Sequence, residues 1–227
     1  MYTILRPKKV AIYVNSERKT IEQIKAETDA DAVFNGALYH MPTQEPNMIL
    51  KVDGKLLAHE PYAYLGYAWS GDQLPVLTYD YDLYQNFITG ANLVTDGKAG
   101  EMYYAPEVNR VCGRTAMGMF ADGRMLIYCV PNGSPYACTP IGLQNRMLNY
   151  GLQSAIMLDG GGSSQIISKE LTVKSDRIVQ NLVLVWESKK IYRVQVGAFP
   201  TRAQAERDKE ELADAGYSGF IVEAELP

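Results

Sequence analysis

Six Asp-Gly or Asn-Gly pairs punctuate the chain, at 35–36, 53–54, 96–97, 122–123, 132–133 and 159–160. Between apolar runs such a pair favours the tight turn of a β-hairpin, whose central residues need positive φ. A chain broken this often has room for short strands and little else. "TAMGMFADGRMLIYCV" (115–130) is the clearest case, a strand, an Asp122-Gly123 turn and a second strand. "MILKVDGKLLA" (48–58) reads the same way.

Helices are few. "TIEQIKAETDA" opens with Thr20 and carries Gln23 three residues on, a capping-box pattern. "TPIGLQNRMLNYG" has Thr139 as N-cap, Pro140 at the first helical position and Gly151 at the C-terminal cap. "SAIMLD" then reads as a short buried strand. The first region is therefore α+β, a mixed but largely antiparallel sheet domain, assigned to residues 1–187. After the charged break "ESKK" the pattern changes. "YRVQVGAF" alternates like a strand, "TRAQAERDKEELADAG" is a helix with its own Thr201–Gln204 capping box and terminal Gly216, and "SGFIVEAEL" is a second strand. This β-α-β unit, 191–227, is too small to hold a core alone.

Charge and composition exclude several classes. The net charge of −4 and the lack of a long basic run argue against a nucleic-acid partner. No apolar run approaches the roughly 18 residues of a membrane span. The N-terminal "MYTILRPKKVAIYVN" lacks the apolar core of a secretion signal. Three cysteines without metal-ligand spacing predict neither a zinc site nor a disulfide framework, although a Cys129–Cys138 pair across a turn is one option. No metal and no cofactor is expected.

One stretch invites a functional reading: "AIMLDGGGSSQII", 155–167. It is not a phosphate-binding P-loop, for no Lys-Ser or Lys-Thr follows the glycines. Gln165 stands where the dinucleotide fingerprint and the nucleophile elbow both require glycine. The apolar flanks read as core strands, so a flexible spacer is excluded. What remains is a carboxylate at a strand end. Three glycines whose amides can form an anion-binding concavity follow it, then two hydroxyls. A plain glycine-rich turn closed by Asp159 is the alternative.

"LDGGGSS" resembles the signature of the phosphodiester glycosidase family, which includes the enzyme that uncovers a lysosomal sorting signal by removing N-acetylglucosamine from a phosphodiester. "VFNGALYH" (33–40), "GANLVTDGK" (90–98), "GRTAMGMFADGRMLIYCV" (113–130) and "RIVQNLVLVW" (177–186) resemble further family segments, in the same order. The chain departs from the pattern at Ala37, where relatives carry a second glycine, and at Cys112-Gly113, where relatives often carry His-Pro. The 192–226 segment is similar to one repeat of a SPOR domain, a half ferredoxin-like unit that binds peptidoglycan glycan strands.

The resemblance implies a hydrolase that cleaves a glycosyl phosphodiester in a bacterial cell-wall or surface glycan. The leaving phosphate monoester has a second pKa of about 6, so stabilising its charge matters more than protonating it. Asp159 is then the nucleophile or base, and Arg114 holds phosphate through its planar fork. Asn35, Gly36, Thr115, Gly160, Gly161, Gly162, Ser163 and Ser164 contact substrate, and Gln195 of the tail contacts glycan. Glu101 and Asp96 are candidates for a second carboxylate. The half repeat could pair between two copies, giving a homodimer or higher oligomer, and the pairing of domains suits a bacterial-envelope or bacteriophage lysis or virion role. The other readings are a non-catalytic glycan-binding or virion structural protein and a conventional exopolysaccharide glycosidase.

Overall fold

The computed structural model describes residues 2–58, 64–188 and 197–223. They divide into two compact units, Met1–Ser188 and Lys189–Pro227.

The larger unit is built from short strands, and every pairing described is antiparallel. A six-stranded sheet runs in the order Tyr2–Leu5, Met125–Val130, Arg114–Met119, Ser154–Met157, Ala91–Thr95, Lys98–Ala99. A five-stranded sheet has Ala32–Asn35 at its centre, between Ile166–Ile167 and Asn181–Glu187. Another five-stranded sheet centres on Asn86–Thr89, between Leu50–Val52 and Gly66–Trp69.

The six-stranded sheet is covered on both faces. Met117, Met125, Ile127 and Cys129 point into the core shared with the other sheets. Ala116, Leu126, Tyr128 and Val130 pack instead around helix α2, Pro140–Asn149. This is why "MLIYCV" is apolar throughout rather than alternating: both sides of the strand are buried. Helix α1, Ile21–Thr28, caps the sheet that holds Asn35 through Ile21 and Ile24.

The helix ends follow the sequence. Thr20 accepts from the Gln23 amide and Gln23 reaches back to the Thr20 amide, completing the capping box. Thr139 accepts from the Gly142 amide at 3.2 Å, and Gly151 takes φ +73° beyond the helix. In the smaller unit α3 spans Arg202–Asp214, with Gly216 at φ +85° past its end. Its expected capping box is altered, for the Thr201 hydroxyl donates to the Gln204 side chain at 3.0 Å and caps no amide. The expected strand at 192–199 lies largely outside the described residues, as does Gln195. Residues 218–223 carry no strand assignment.

Four of the six Gly pairs make turns. Asp53-Gly54 and Asp96-Gly97 have both residues at positive φ and close two-residue hairpins. Gly123 and Gly133 also take positive φ, at 81° and 74°. The two remaining pairs, Asn35-Gly36 and Asp159-Gly160, do not turn back, and they meet each other.

Candidate active site

The strand Ser154–Met157 runs between Arg114–Met119 and Ala91–Thr95, and its extension carries Asp159 out of the sheet. The Leu158 amide still donates to the Thr115 carbonyl at 2.9 Å. At the next residue the partner changes: the Asp159 amide donates to the Gly36 carbonyl at 3.1 Å. The Asn35 side chain answers by donating to the Asp159 carbonyl at 2.8 Å. Two turn-like pairs 124 residues apart thus hold each other by backbone and side chain.

Asn35 is fully buried and has both ends of its amide in use. Its Oδ1 accepts from Thr115 Oγ1 at 2.7 Å and from the Gln165 amide at 3.1 Å. Asn35 and Thr115, expected to touch substrate, brace the main chain on either side of Asp159. Gly36 is fixed by close approach: a Cβ there would stand 2.0 Å from Asn181 Oδ1, which accepts from the Ala37 amide. Gly36→Ala should therefore cost about 1–3 kcal/mol, enough to lower the thermal midpoint by several degrees in calorimetry. A midpoint equal to that of the unsubstituted protein would show that Asn181 yields freely.

The half-buried Asp159 carboxylate accepts from the Gly160 amide through Oδ1 at 2.8 Å and is hydrogen-bonded by the Ser163 side chain. Ser163 is buried and links three groups: its hydroxyl meets Asp159, accepts from Arg177 Nη1 at 3.1 Å, and lies within hydrogen-bonding reach of Tyr39. Arg177 packs over the glycines so closely that a Cβ on Gly162 would be 2.8 Å from its Nη2. The Arg177 carbonyl accepts from Gln165 Nε2 at 2.9 Å, tying that segment to the loop.

Burial pushes the Asp159 carboxyl above its ordinary 3.8, while Ser163, the Gly160 amide and the Arg177 charge pull it back. The Tyr39 hydroxyl is raised by burial and then by the Asp159 charge. No second carboxylate is among the groups that shift Asp159. Asp96 sits at the far end of the Ala91–Thr95 strand, where Gln153 donates to it, and Glu101 contacts Tyr103. The pKa direction has a consequence for stability. Between 3.8 and the raised value, the folded protein holds a proton that the unfolded chain has released. Stability therefore falls as pH rises through that window. Asp159→Asn lacks this loss and should melt above the unsubstituted protein at neutral pH, the gap closing below pH about 4. A gap that does not change with pH would show that the carboxyl titrates normally.

The glycine amides point mostly inward. Gly160 donates to Asp159, Gly161 to the Gly113 carbonyl at 2.8 Å, Ser163 to Gly160 and Ser164 to Gly161. The expected anion concavity is thus largely closed by internal bonds. Ser164 Oγ is buried without a hydrogen-bond partner among the described residues. Gly161 takes φ +62°, a backbone conformation that suits glycine there.

Arg114, expected to hold phosphate, is 2% exposed; its side chain passes Gly160, and its guanidinium is held by main-chain oxygens. Its Nε donates to the Cys138 carbonyl at 2.9 Å. Its Nη2 donates to the carbonyls of Val108 and Arg110 at 2.8 and 2.6 Å, and Nη1 meets Met157 Sδ at 3.6 Å. The fork that suits phosphate is occupied by main-chain oxygens. The cation beside Asp159 is Arg177, which the sequence offered only as the first residue of the family-like segment 177–186. Its sole signal was a charge placed before the apolar stretch 182–186, across Ile178, Val179, Gln180 and Asn181. Tyr39, Gln165 and Asn181 likewise carry no site signal in the sequence.

A family model described as phosphodiester glycosidase matches residues 28–186, and a SPOR domain model matches residues 183–223. No curated protein matches the chain. Among solved structures, the catalytic domain of zebrafish N-acetylglucosamine-1-phosphodiester alpha-N-acetylglucosaminidase, auto-inhibited by its pro-peptide, superposes with a TM-score of 0.64 at 16% identity. That match covers 79% of this chain and 73% of the zebrafish chain. A hypothetical protein from Synechocystis superposes with a TM-score of 0.66 at 10% identity, covering 81% of this chain and 58% of that one. These likenesses share the α+β fold.

Proposed function

The chain belongs to the phosphodiester glycosidase family, and from that premise we propose that it hydrolyses a glycosyl phosphodiester of the N-acetylglucosamine 1-phosphate type. The observation that carries the reading is the pairing of a half-buried Asp159 with the Arg177 guanidinium through Ser163. A carboxylate faces the sugar carbon as nucleophile or water-activating base, and a cation stands where a departing phosphate needs charge.

In this reading Arg177 takes the phosphate role that the motif suggested for Arg114. Its guanidinium keeps only Ser163 as a side-chain partner among the hydrogen bonds described, which leaves donors for two phosphate oxygens. Arg114, Asn35 and Thr115 are positioning residues that set where Asp159 leaves the sheet. The SPOR-matching segment supports a peptidoglycan-bearing surface as the place of action.

The test is release of N-acetylglucosamine from UDP-N-acetylglucosamine and from a simple alkyl phosphodiester of N-acetylglucosamine 1-phosphate. Turnover of these, with a nitrophenyl N-acetylglucosaminide cleaved far more slowly, is the expected result. Cleavage of the nitrophenyl glycoside alone would favour a conventional glycosidase. Tight glycan binding with no turnover of any of the three would favour a non-catalytic binder.

A further inference from the structure

The sheet separates the two cysteines that sequence spacing offered as a pair. Cys129 faces the core between the sheets, with Thr115 Oγ1 at 3.7 Å, whereas Cys138 belongs to the cluster around α2 on the other face. Cys138 has a different partner. Cys112 and Cys138 stand directly opposite one another in an isolated antiparallel bridge and exchange both main-chain hydrogen bonds, at 3.4 and 3.2 Å. Residues paired in this way project their side chains to one face. Their Cα atoms lie about 5.5 Å apart in such a pair, inside the range of roughly 4.4–6.8 Å that a disulfide spans. All three thiols are free here.

We propose that Cys112 and Cys138 are the site of a reversible disulfide that fastens the 106–112 segment to the start of α2. Cys112 is part-exposed and Cys138 is buried at 7% exposure, so an oxidant reaches Cys112 first. The oxidant is a small disulfide such as oxidised glutathione. The Cys112 thiolate attacks one of its sulfurs, forming a mixed disulfide and releasing one glutathione thiolate. Cys138 then gives up its proton and attacks Sγ of Cys112, expelling the second. Two protein thiols become one disulfide, and one small disulfide becomes two thiols. The hydrogen-bonded geometry sets the Cβ atoms about 5 Å apart, wider than the ~3.8 Å of a relaxed disulfide. Closing the bond shears an already long bridge, and strain of this kind makes a disulfide easy to reduce.

The cross-link would act on the Arg114 clamp. Arg114 binds the carbonyls of Val108 and Arg110 on one side and of Cys138 on the other, the same two segments that the disulfide would join. Gly113, next to Cys112, accepts from the Gly161 amide, so the strap adjoins the active-site loop.

The experiment uses the full chain carrying Cys129→Ala, equilibrated in glutathione buffers of rising oxidised fraction, quenched with an alkylating agent and digested with trypsin. The expected product is the 111–114 peptide joined to the 125–146 peptide, abolished by dithiothreitol and by either Cys112→Ser or Cys138→Ser. In the undigested protein, oxidation should slow tryptic cleavage after Arg110 roughly tenfold, because the strap must open to be cut. Glutathione on Cys112 without a cross-link, or free thiols at the most oxidising ratio, would overturn the proposal. Formation of the cross-link with an unchanged cleavage rate would overturn the fastening.

Discussion

Asp159→Asn should lower turnover of a glycosyl phosphodiester by about 10⁴-fold while the fold stays intact, the scale seen when a catalytic carboxylate or nucleophile is removed from a working site. Asparagine keeps the volume and retains an oxygen for the Gly160 amide, which now lies at 2.8 Å. It loses the negative charge to which the proposed mechanism assigns attack on the anomeric carbon or removal of a proton from water. The backbone bonds from Asp159 to Gly36 and Asn35 involve only main-chain atoms of residue 159, so they survive the change. The variant should therefore be inactive and, at neutral pH, more thermally stable. Turnover within tenfold of the unsubstituted protein would remove Asp159 from the chemistry. Loss of activity with a lowered melting point would make it a structural residue instead.

The second large effect separates the two arginines. Arg177→Met should reduce turnover by about 10²–10³-fold, as for the loss of a preorganised charge at a departing anion, with little change in stability because the side chain is part-exposed. Arg114→Met should do the reverse at first sight of the protein, in a melting curve. It leaves the buried carbonyl of Cys138 and the part-buried carbonyls of Val108 and Arg110 without their donor, and puts a methionine where a 2%-exposed guanidinium was hydrogen-bonded. Uncompensated burial of polar groups costs about 1–3 kcal/mol each, so a loss of 3 kcal/mol or more is expected. At roughly 2–4 °C per kcal/mol for a chain of this size, the midpoint should fall by ~10 °C. Residual activity measured well below that midpoint should remain within about tenfold. If Arg114→Met were stable and inactive while Arg177→Met stayed active, the motif arginine would be the phosphate ligand after all.

These predictions turn on contacts whose legibility in the sequence was uneven. Hairpins at Asp53-Gly54, Asp96-Gly97 and Asp122-Gly123 were readable because positive φ is a local requirement that few residues meet. The caps at Thr20 and Thr139 were readable for the same reason, since a capping hydroxyl and its amide lie within three residues. The same rule misread Asn35-Gly36 and Asp159-Gly160 as turn candidates. Their conformation is set by each other and by Asn181, not by their neighbours in the chain. Places where a strong local signal is overruled in this way are where function tends to sit.

By itself the sequence determined the antiparallel, hairpin-rich character of the larger unit and the ends of its helices. Each of those depends on φ preference, periodicity or a capping bond within a few residues. Only the tertiary structure decided which arginine faces the carboxylate. Arg114 and Arg177 carry the same charge, and no local rule tells a fork that grips carbonyls at 108, 110 and 138 from one that lies over Gly162 beside Ser163. The direction of each side chain is fixed by strand pairing between segments far apart in sequence. That pairing also placed Cys138 opposite Cys112 and put a sheet between Cys138 and Cys129.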